Sequence, residues 1–250
     1  MTTRRIILIA AVLVGWLAPA LAGELHNAAK KGDVELVKQL IAEGDDVNQQ
    51  DRRTGTALHW AALRGDAAVA EVLIAAGADV NATSKANGET PLHATAFHGH
   101  MAVAELLLAK GADTEAFTSM GLGGLTPLHM ATRGGREAIT QLLLSHGADM
   151  HAGTLMSGST PMHVAAWGGS TAVVELLIST GADVEATDAG DNTPLHDAAK
   201  WDRVGVAELL IAHGVDINAK NDGGATPLHE AVERGFDEVA EFLRQHGATE

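Results

Sequence analysis

The residues with the greatest chemical potential in this chain are histidines, and seven of them share one register: His26, His59, His93, His129, His163, His196 and His229. Six lie in near copies of one hexapeptide: TALHWA at 56–61, TPLHAT at 90–95, TPLHMA at 126–131, TPMHVA at 160–165, TPLHDA at 193–198 and TPLHEA at 226–231. The seventh sits in LHNAA at 25–29. An imidazole can hold a metal, carry a proton or activate a nucleophile. Each use demands convergence, with metal ligands meeting about 2 Å from one ion and a base within about 3 Å of its nucleophile. The observed spacings of 33, 34, 36, 34, 33 and 33 residues instead give one histidine per unit of a repeating structure. The array therefore reads as scaffold. His98-Gly99-His100 has the look of a small chelate but lacks a third ligand, and His146, His213 and His246 each simply precede a glycine. No GxSxG, HExxH or phosphate-loop motif occurs, and there is no cysteine nucleophile. The paired Asp45-Asp46 belongs to a loop and carries no burial argument to raise a pKa. No catalytic residue, metal ligand or cofactor is assigned, and the chain is expected not to be an enzyme.

The elements that position these histidines follow from the same period. A repeat of about 33 residues points to a solenoid. In the unit starting at Asp191, Thr193 is a good helix N-cap and Pro194 at the first helical position loses no hydrogen bond. Leu195, Ala198 and Ala199 give a short helix with a thin side. A turn leads to Val206-Ala207-Glu208-Leu209-Leu210-Ile211, a second helix with one apolar face, which Gly214 ends in the left-handed conformation. Two such helices cannot bury their apolar faces alone, and stacked copies can.

The order TPLHxAA, glycine turn, VxELLxxxGAD and return loop resembles the ankyrin repeat, over residues 24–250 in seven units. The resemblance implies an all-α solenoid of seven helix-turn-helix repeats with loop or β-hairpin fingers, at approximately 24–53, 54–86, 87–121, 122–157, 158–190, 191–223 and 224–250. It also implies that each motif histidine bonds its threonine and a backbone group of the adjoining repeat, in the pairs Thr56–His59, Thr90–His93, Thr126–His129, Thr160–His163, Thr193–His196 and Thr226–His229. The end units look like caps. The first lacks Thr-Pro and carries Lys30 and Lys31, while Arg244 stands where inner repeats have Ile74, Leu108, Leu144, Ile178 or Ile211.

Residues 1–22 have a different character. Arg4 and Arg5 precede an apolar run from Ile6 to Leu17, and Ala20-Leu21-Ala22 ends the stretch, the layout of a secretory signal peptide cleaved before Gly23. The run is short for a membrane span and Pro19 interrupts its extension. An uncleaved anchor is the competing reading. Cleavage leaves 15 basic against 32 acidic side chains, a net charge of −17, which disfavours nucleic acid and anionic lipid as partners. A periplasmic or secreted monomer that binds another protein, and no membrane once cleaved, is the expectation.

Recognition should reside where the repeats differ. By the family resemblance, the two residues before the inter-helix turn face a concave groove: Lys30-Lys31, Leu63-Arg64, Phe97-His98, Arg133-Gly134, Trp167-Gly168, Lys200-Trp201 and Glu233-Arg234. Six lysines or arginines against one acid predict a basic, aromatic groove, with Glu71, Glu105, Glu175, Glu208 and Glu241 on the opposite, convex side. Trp167 and Trp201 are the expected anchors, whereas Trp60, directly after a motif histidine, reads as core. The central loops are the longest. AFTSMGLGGL at 116–125 and GTLMSGS at 153–159 place Phe117, Met120, Leu122, Leu125, Leu155 and Met156 on neighbouring, flexible tips. Asp202 replaces the turn glycine found at Gly65, Gly99, Gly135, Gly169 and Gly235, so that turn should require positive φ from a non-glycine residue.

The reading is a non-enzymatic adaptor that binds a protein through groove and central fingers, and analogy with exported bacterial ankyrin proteins suggests a helper of a stress-defence enzyme. An inhibitor or immunity protein that caps a toxin, a spacer without a specific partner and a hydrolase of unknown type are the alternatives.

Overall fold

A computed structural model describes residues 23–51 and 55–249, and the signal peptide assigned to residues 1–22 lies outside the described residues. Seven helix pairs run in order: α1 Glu24–Lys31 and α2 Val34–Glu43; α3 Ala57–Arg64 and α4 Ala67–Ala75; α5 Pro91–His98 and α6 Met101–Ala109; α7 Pro127–Arg133 and α8 Glu137–Ser145; α9 Pro161–Gly168 and α10 Thr171–Ser179; α11 Pro194–Lys200 and α12 Val204–Ala212; α13 Pro227–Arg234 and α14 Asp237–Gln245. First helices pack on first helices of the neighbouring repeats, and second helices on second.

Capping chemistry sets the start of each first helix. Thr56, Thr90, Thr126, Thr160 and Thr193 hold extended backbone ahead of the helix, and each closes a reciprocal box with the histidine three residues on. The layer is thin because its buried positions are small. Ala61, Ala62, Ala96, Ala131, Ala165, Ala166, Ala198 and Ala199 are fully or almost fully enclosed. Larger side chains close the core between the layers: Leu58, Leu92, Leu128, Met162, Leu195 and Leu228 from first helices, Leu73, Leu107, Leu143, Leu177 and Leu210 from second. Each such side chain contributes about 1.5–3 kcal/mol on burial. The core divides into two clusters, Leu25 to Ala148 and Met162 to Leu243, with Leu144 and Met150 packed against both. Glu71, Glu105, Glu175, Glu208 and Glu241 are all exposed on the second helices, as expected.

In the first six repeats the residue after the inter-helix turn either caps its own helix or clamps the previous repeat, whereas Phe236 in the seventh packs against the core. Asp33, Asp66 and Ser170 accept from Leu36 N, Val69 N and Val173 N. His100 Nε2, Arg136 Nε and Arg203 Nε instead donate to the carbonyls of Leu63, Phe97 and Trp167, at 3.0, 2.9 and 3.1 Å. These carbonyls end first helices and lack intrahelical partners, so the side chain of the next repeat satisfies them.

The fingers are the segments between one repeat's closing glycine and the next first helix. Among the described residues they contain no β-strand. Backbone bonds close the hairpins, such as Ser84 N to Glu89 O at 2.8 Å, Thr118 N to Leu125 O at 2.9 Å and Thr154 N to Ser159 O at 3.0 Å. The expectation of flexible tips is not met. Each tip from residue 87 onwards is bonded to the next: Ser119 N to Asn87 O, Leu155 N and Met156 N to the carbonyls of Gly124 and Gly123, Ala189 N to Ser157 O, and Asp222 N to Gly190 O. Gly124 has φ +65°, and a Cβ there would lie 2.3 Å from Leu155 Cβ, so the third and fourth fingers touch through that glycine.

Candidate functional site

The motif histidines occupy the scaffold. His59, His93, His129, His163 and His196 each receive the backbone N–H of the preceding threonine on Nδ1, at 3.1–3.2 Å. That fixes the proton on Nε2, which donates across the repeat boundary to the carbonyls of Glu89, Leu125, Ser159, Asn192 and Ala225, at 2.9–3.1 Å. Burial lowers the pKa of all five, to about 4 for His93 and His129. Both ring nitrogens are spoken for, so these histidines are neutral tie-bars. His229 departs from the expectation. Among the described residues no finger carbonyl meets its ring, its side chain is exposed, and Thr226 Oγ1 donates to Thr249 O at 3.1 Å. His26 bridges to Gln49 O at 2.9 Å, with no threonine to occupy its Nδ1.

Along the ends of the first helices a second row of side chains makes a continuous surface. Arg133 lies with its guanidinium carbon 4.7 Å from the centre of the Trp167 ring and 5.9 Å from that of Phe97. Trp167 in turn meets Trp201 at 5.5 Å between ring centres, tilted by 40°. Phe97 and Trp167 are half-buried, Arg133 is exposed, and Trp201 keeps 48% of its surface open. The fingers form the facing wall. Leu125 and Met156 join Arg133, Trp167, Trp201 and Asp197 around a cavity of about 390 Å³. Five of the sequence-predicted binding residues thus converge on one pocket.

The remaining candidates are distributed around it. Phe117, Met120 and Leu155 are exposed on the third and fourth fingers. Leu125 is itself buried and belongs to the core cluster, offering the pocket only an edge. Leu122 ends the 3-10 turn Met120–Leu122. Leu63 packs against the core and Arg64 is exposed, both well toward the N-terminal end. His98 edges against Phe97 and stacks on His100 at 5.8 Å, and burial lowers its pKa, aided by His100 and Arg136. Among the described residues no group of three potential ligands gathers there or elsewhere. Trp60 packs against the core as expected, yet its indole donates to Asp51 at 2.9 Å and Lys30 lies 4.6 Å over its ring.

Lys200 behaves differently from the expected free groove cation. Its Nζ donates to Asn192 Oδ1 at 2.6 Å and lies 3.5 Å from Glu230, which also pairs with Arg234 and accepts from Asn221. Glu230 and Asp197 offset the basic character of the groove in the last two repeats. Sequence reasoning missed both. They stand directly after a motif histidine, where the inner repeats have Trp60, Ala94, Met130 and Val164, and that switch from apolar to acidic was the available signal. Asp197 is half-buried, and burial pushes its pKa up to about 7, opposed by Lys200 and reinforced by Asp188 and Glu230. A pocket of this kind has flat aromatic walls, an apolar finger on one side and one acid in its lining, a set of surfaces that can hold a side chain.

Comparison with known proteins agrees with this architecture. A family model described as ankyrin repeats (3 copies) matches residues 25–118, 116–188 and 186–249. The crystal structure of the human ASB11 ankyrin repeat domain superposes with a TM-score of 0.78 and 30% identity, over 90% of this chain and 98% of that one. No curated protein matches the sequence. With the repeat period, the threonine–histidine boxes and the stacked helix pairs already in place, the chain belongs to the ankyrin repeat family.

Proposed function

We infer that this ankyrin-repeat scaffold is a non-enzymatic adaptor whose partner protein docks between the first-helix ends and the third and fourth fingers. Ankyrin repeats are protein–protein interaction domains. The observation that carries the site is the unbroken row Phe97, Arg133, Trp167 and Trp201, whose last three members meet the exposed Met156 at one cavity, with the exposed Leu155 next to it on the same finger. Aromatic and arginine side chains dominate binding hot spots, and exposed apolar tips beside them supply area to cover. The cross-bonded fingers support the reading as well, since a preordered surface loses little entropy on docking. No helix of the described residues is long and apolar enough to cross a membrane. We place the mature chain in the periplasm or medium, on the strength of the leader-like sequence of residues 1–22.

Trp167→Ala combined with Trp201→Ala tests the site. Removing two central anchors should weaken partner binding by about 2 kcal/mol or more, roughly thirtyfold. The helical circular dichroism signal should remain. The assay is capture from periplasmic extract, with intact mass confirming a bait that begins at Gly23. Unchanged capture would remove the groove from the interface. A purified partner then separates the two roles: a helper leaves its activity intact or raised, and an inhibitor abolishes it.

A further inference from the structure

Asp197 is a carboxylate that the fold leaves without a partner. Among the described residues no hydrogen bond or ion pair reaches it. The charged groups around it are otherwise engaged. Lys200, on the same helix, is held by Asn192 and Glu230; Glu230 on α13 is held by Lys200, Arg234 and Asn221; Asp188 on the fifth finger accepts from Asn192 and from Gly190 N. Arg203, at the start of α12, donates to Trp167 O, and His163 on α9 has both ring nitrogens bonded within the scaffold. Arg133, across the cavity, is bedded on Trp167 and Phe97.

We propose that the cavity holds a lysine side chain of the partner, its methylene stem between Met156 and the indoles of Trp167 and Trp201 and its ammonium against Asp197. The pieces match that occupant in chemistry and size. Indole faces attract cations, the chain as a whole carries a charge of −15 that draws basic partners from a distance, and about 390 Å³ accommodates one long side chain. An acidic occupant would turn to Arg133, which is exposed and bedded on two rings, and would leave Asp197 facing a second negative charge. An uncharged apolar occupant would bury Asp197 further, which only its protonated form tolerates. These alternatives differ in sign. A lysine binds the ionised carboxyl and gains affinity as pH rises, whereas a neutral side chain favours the protonated carboxyl and loses affinity.

The inference rests on the groove being the docking site, and a small probe tests it apart from any partner. The mature protein, labelled with nitrogen-15, is titrated with Nα-acetyl-lysine amide and with the neutral Nα-acetyl-norleucine amide, following the indole N–H signals of Trp167 and Trp201. The expected result is saturable displacement of both signals by the lysine probe, about tenfold tighter at pH 8 than at pH 6 as Asp197 ionises across its pKa of about 7. The norleucine probe should bind more weakly at pH 8. Asp197→Asn should remove the pH dependence and weaken lysine binding about tenfold, and the wild-type pH profile decides the matter even if that variant folds poorly. Equal binding of both probes, tighter binding at acid pH, or no displacement at about 20 mM lysine probe overturns the proposal. If the probe fails while the double tryptophan variant still loses its partner, the lysine pocket alone falls. If the probe binds while that variant captures normally, the docking site is elsewhere.

Discussion

His129 and His229 stand at the same place in the same motif, TPLH, and the structure treats them oppositely. His129 is fully enclosed, takes the Thr126 N–H on one nitrogen and donates to Ser159 O at 3.0 Å with the other. His229 is exposed, and its threonine turns to Thr249 O. The helix start is the same in both, with Thr at the cap and Pro at the first position. What differs is a finger carbonyl, Ser159 O, that gives the His129 imidazole something to bond, and among the described residues none reaches His229. The motif is therefore half of an interface, and its histidine acquires a structural role only when a neighbour supplies the other half.

Acid provides the largest way to stress that difference. His93 and His129 have pKa values near 4 in the folded chain, against an ordinary 6.5, because burial excludes the charged form. A lowered histidine pKa means the unfolded chain binds protons first. Stability from these groups is complete above pH 6.5 and is lost as pH falls toward 4, by roughly 3 kcal/mol for each of the two. His59, His163 and His196 shift in the same direction and add to the loss. Urea titrations at pH 7.5 and 4.5 should show a marked fall in midpoint, and a midpoint that stays level would contradict neutral, bridging histidines.

The pair of single variants isolates one tie-bar from that sum. His129→Ala strands the Ser159 carbonyl and the Thr126 N–H in a dry boundary and should cost about 2–4 kcal/mol. His229→Ala, whose imidazole is exposed, should remain within about 0.5 kcal/mol. Equal losses in urea unfolding would show that the inter-repeat bond of His129 contributes little to stability.

How much of this was readable beforehand depended on whether the relevant physics was local. The helix pairs were legible because Thr-Pro starts, glycine stops and apolar faces all act within a few residues. The groove row was legible as a set of positions, and Trp167, Arg133 and Trp201 do meet. Lys200 misled because its pairing with Glu230 joins successive repeats, and counting charges in one column hides a counter-charge in the next. The clamps from His100, Arg136 and Arg203 had a signal, since inner repeats with Asp66 or Ser170 at that position cap their own helices instead. The bonding between finger tips had none, because backbone N–H and C=O groups make it and every residue carries those. His229 shows the remaining case, where a correct motif has no finger carbonyl to bond among the described residues.

The smallest effect concerns the turn beside the tryptophan pair. Asp202 has φ +55°, where the equivalent Gly65, Gly99, Gly135 and Gly169 have 72°, 84°, 65° and 84°. Aspartate enters this left-handed region more readily than most residues, but still less freely than glycine. Asp202→Gly removes that local strain, while the added glycine gives the unfolded chain more freedom to lose. The two nearly offset, leaving an expected gain of about 0.5 kcal/mol in urea unfolding. Because Arg203 anchors the next residue to the Trp167 carbonyl at 3.1 Å, the Trp167–Trp201 pairing should persist, and tryptophan fluorescence should keep its emission maximum. A loss of stability with a shifted maximum would mean that the aspartate, and not the clamp behind it, sets the position of Trp201, and the sixth turn would then belong to the binding surface instead of the scaffold.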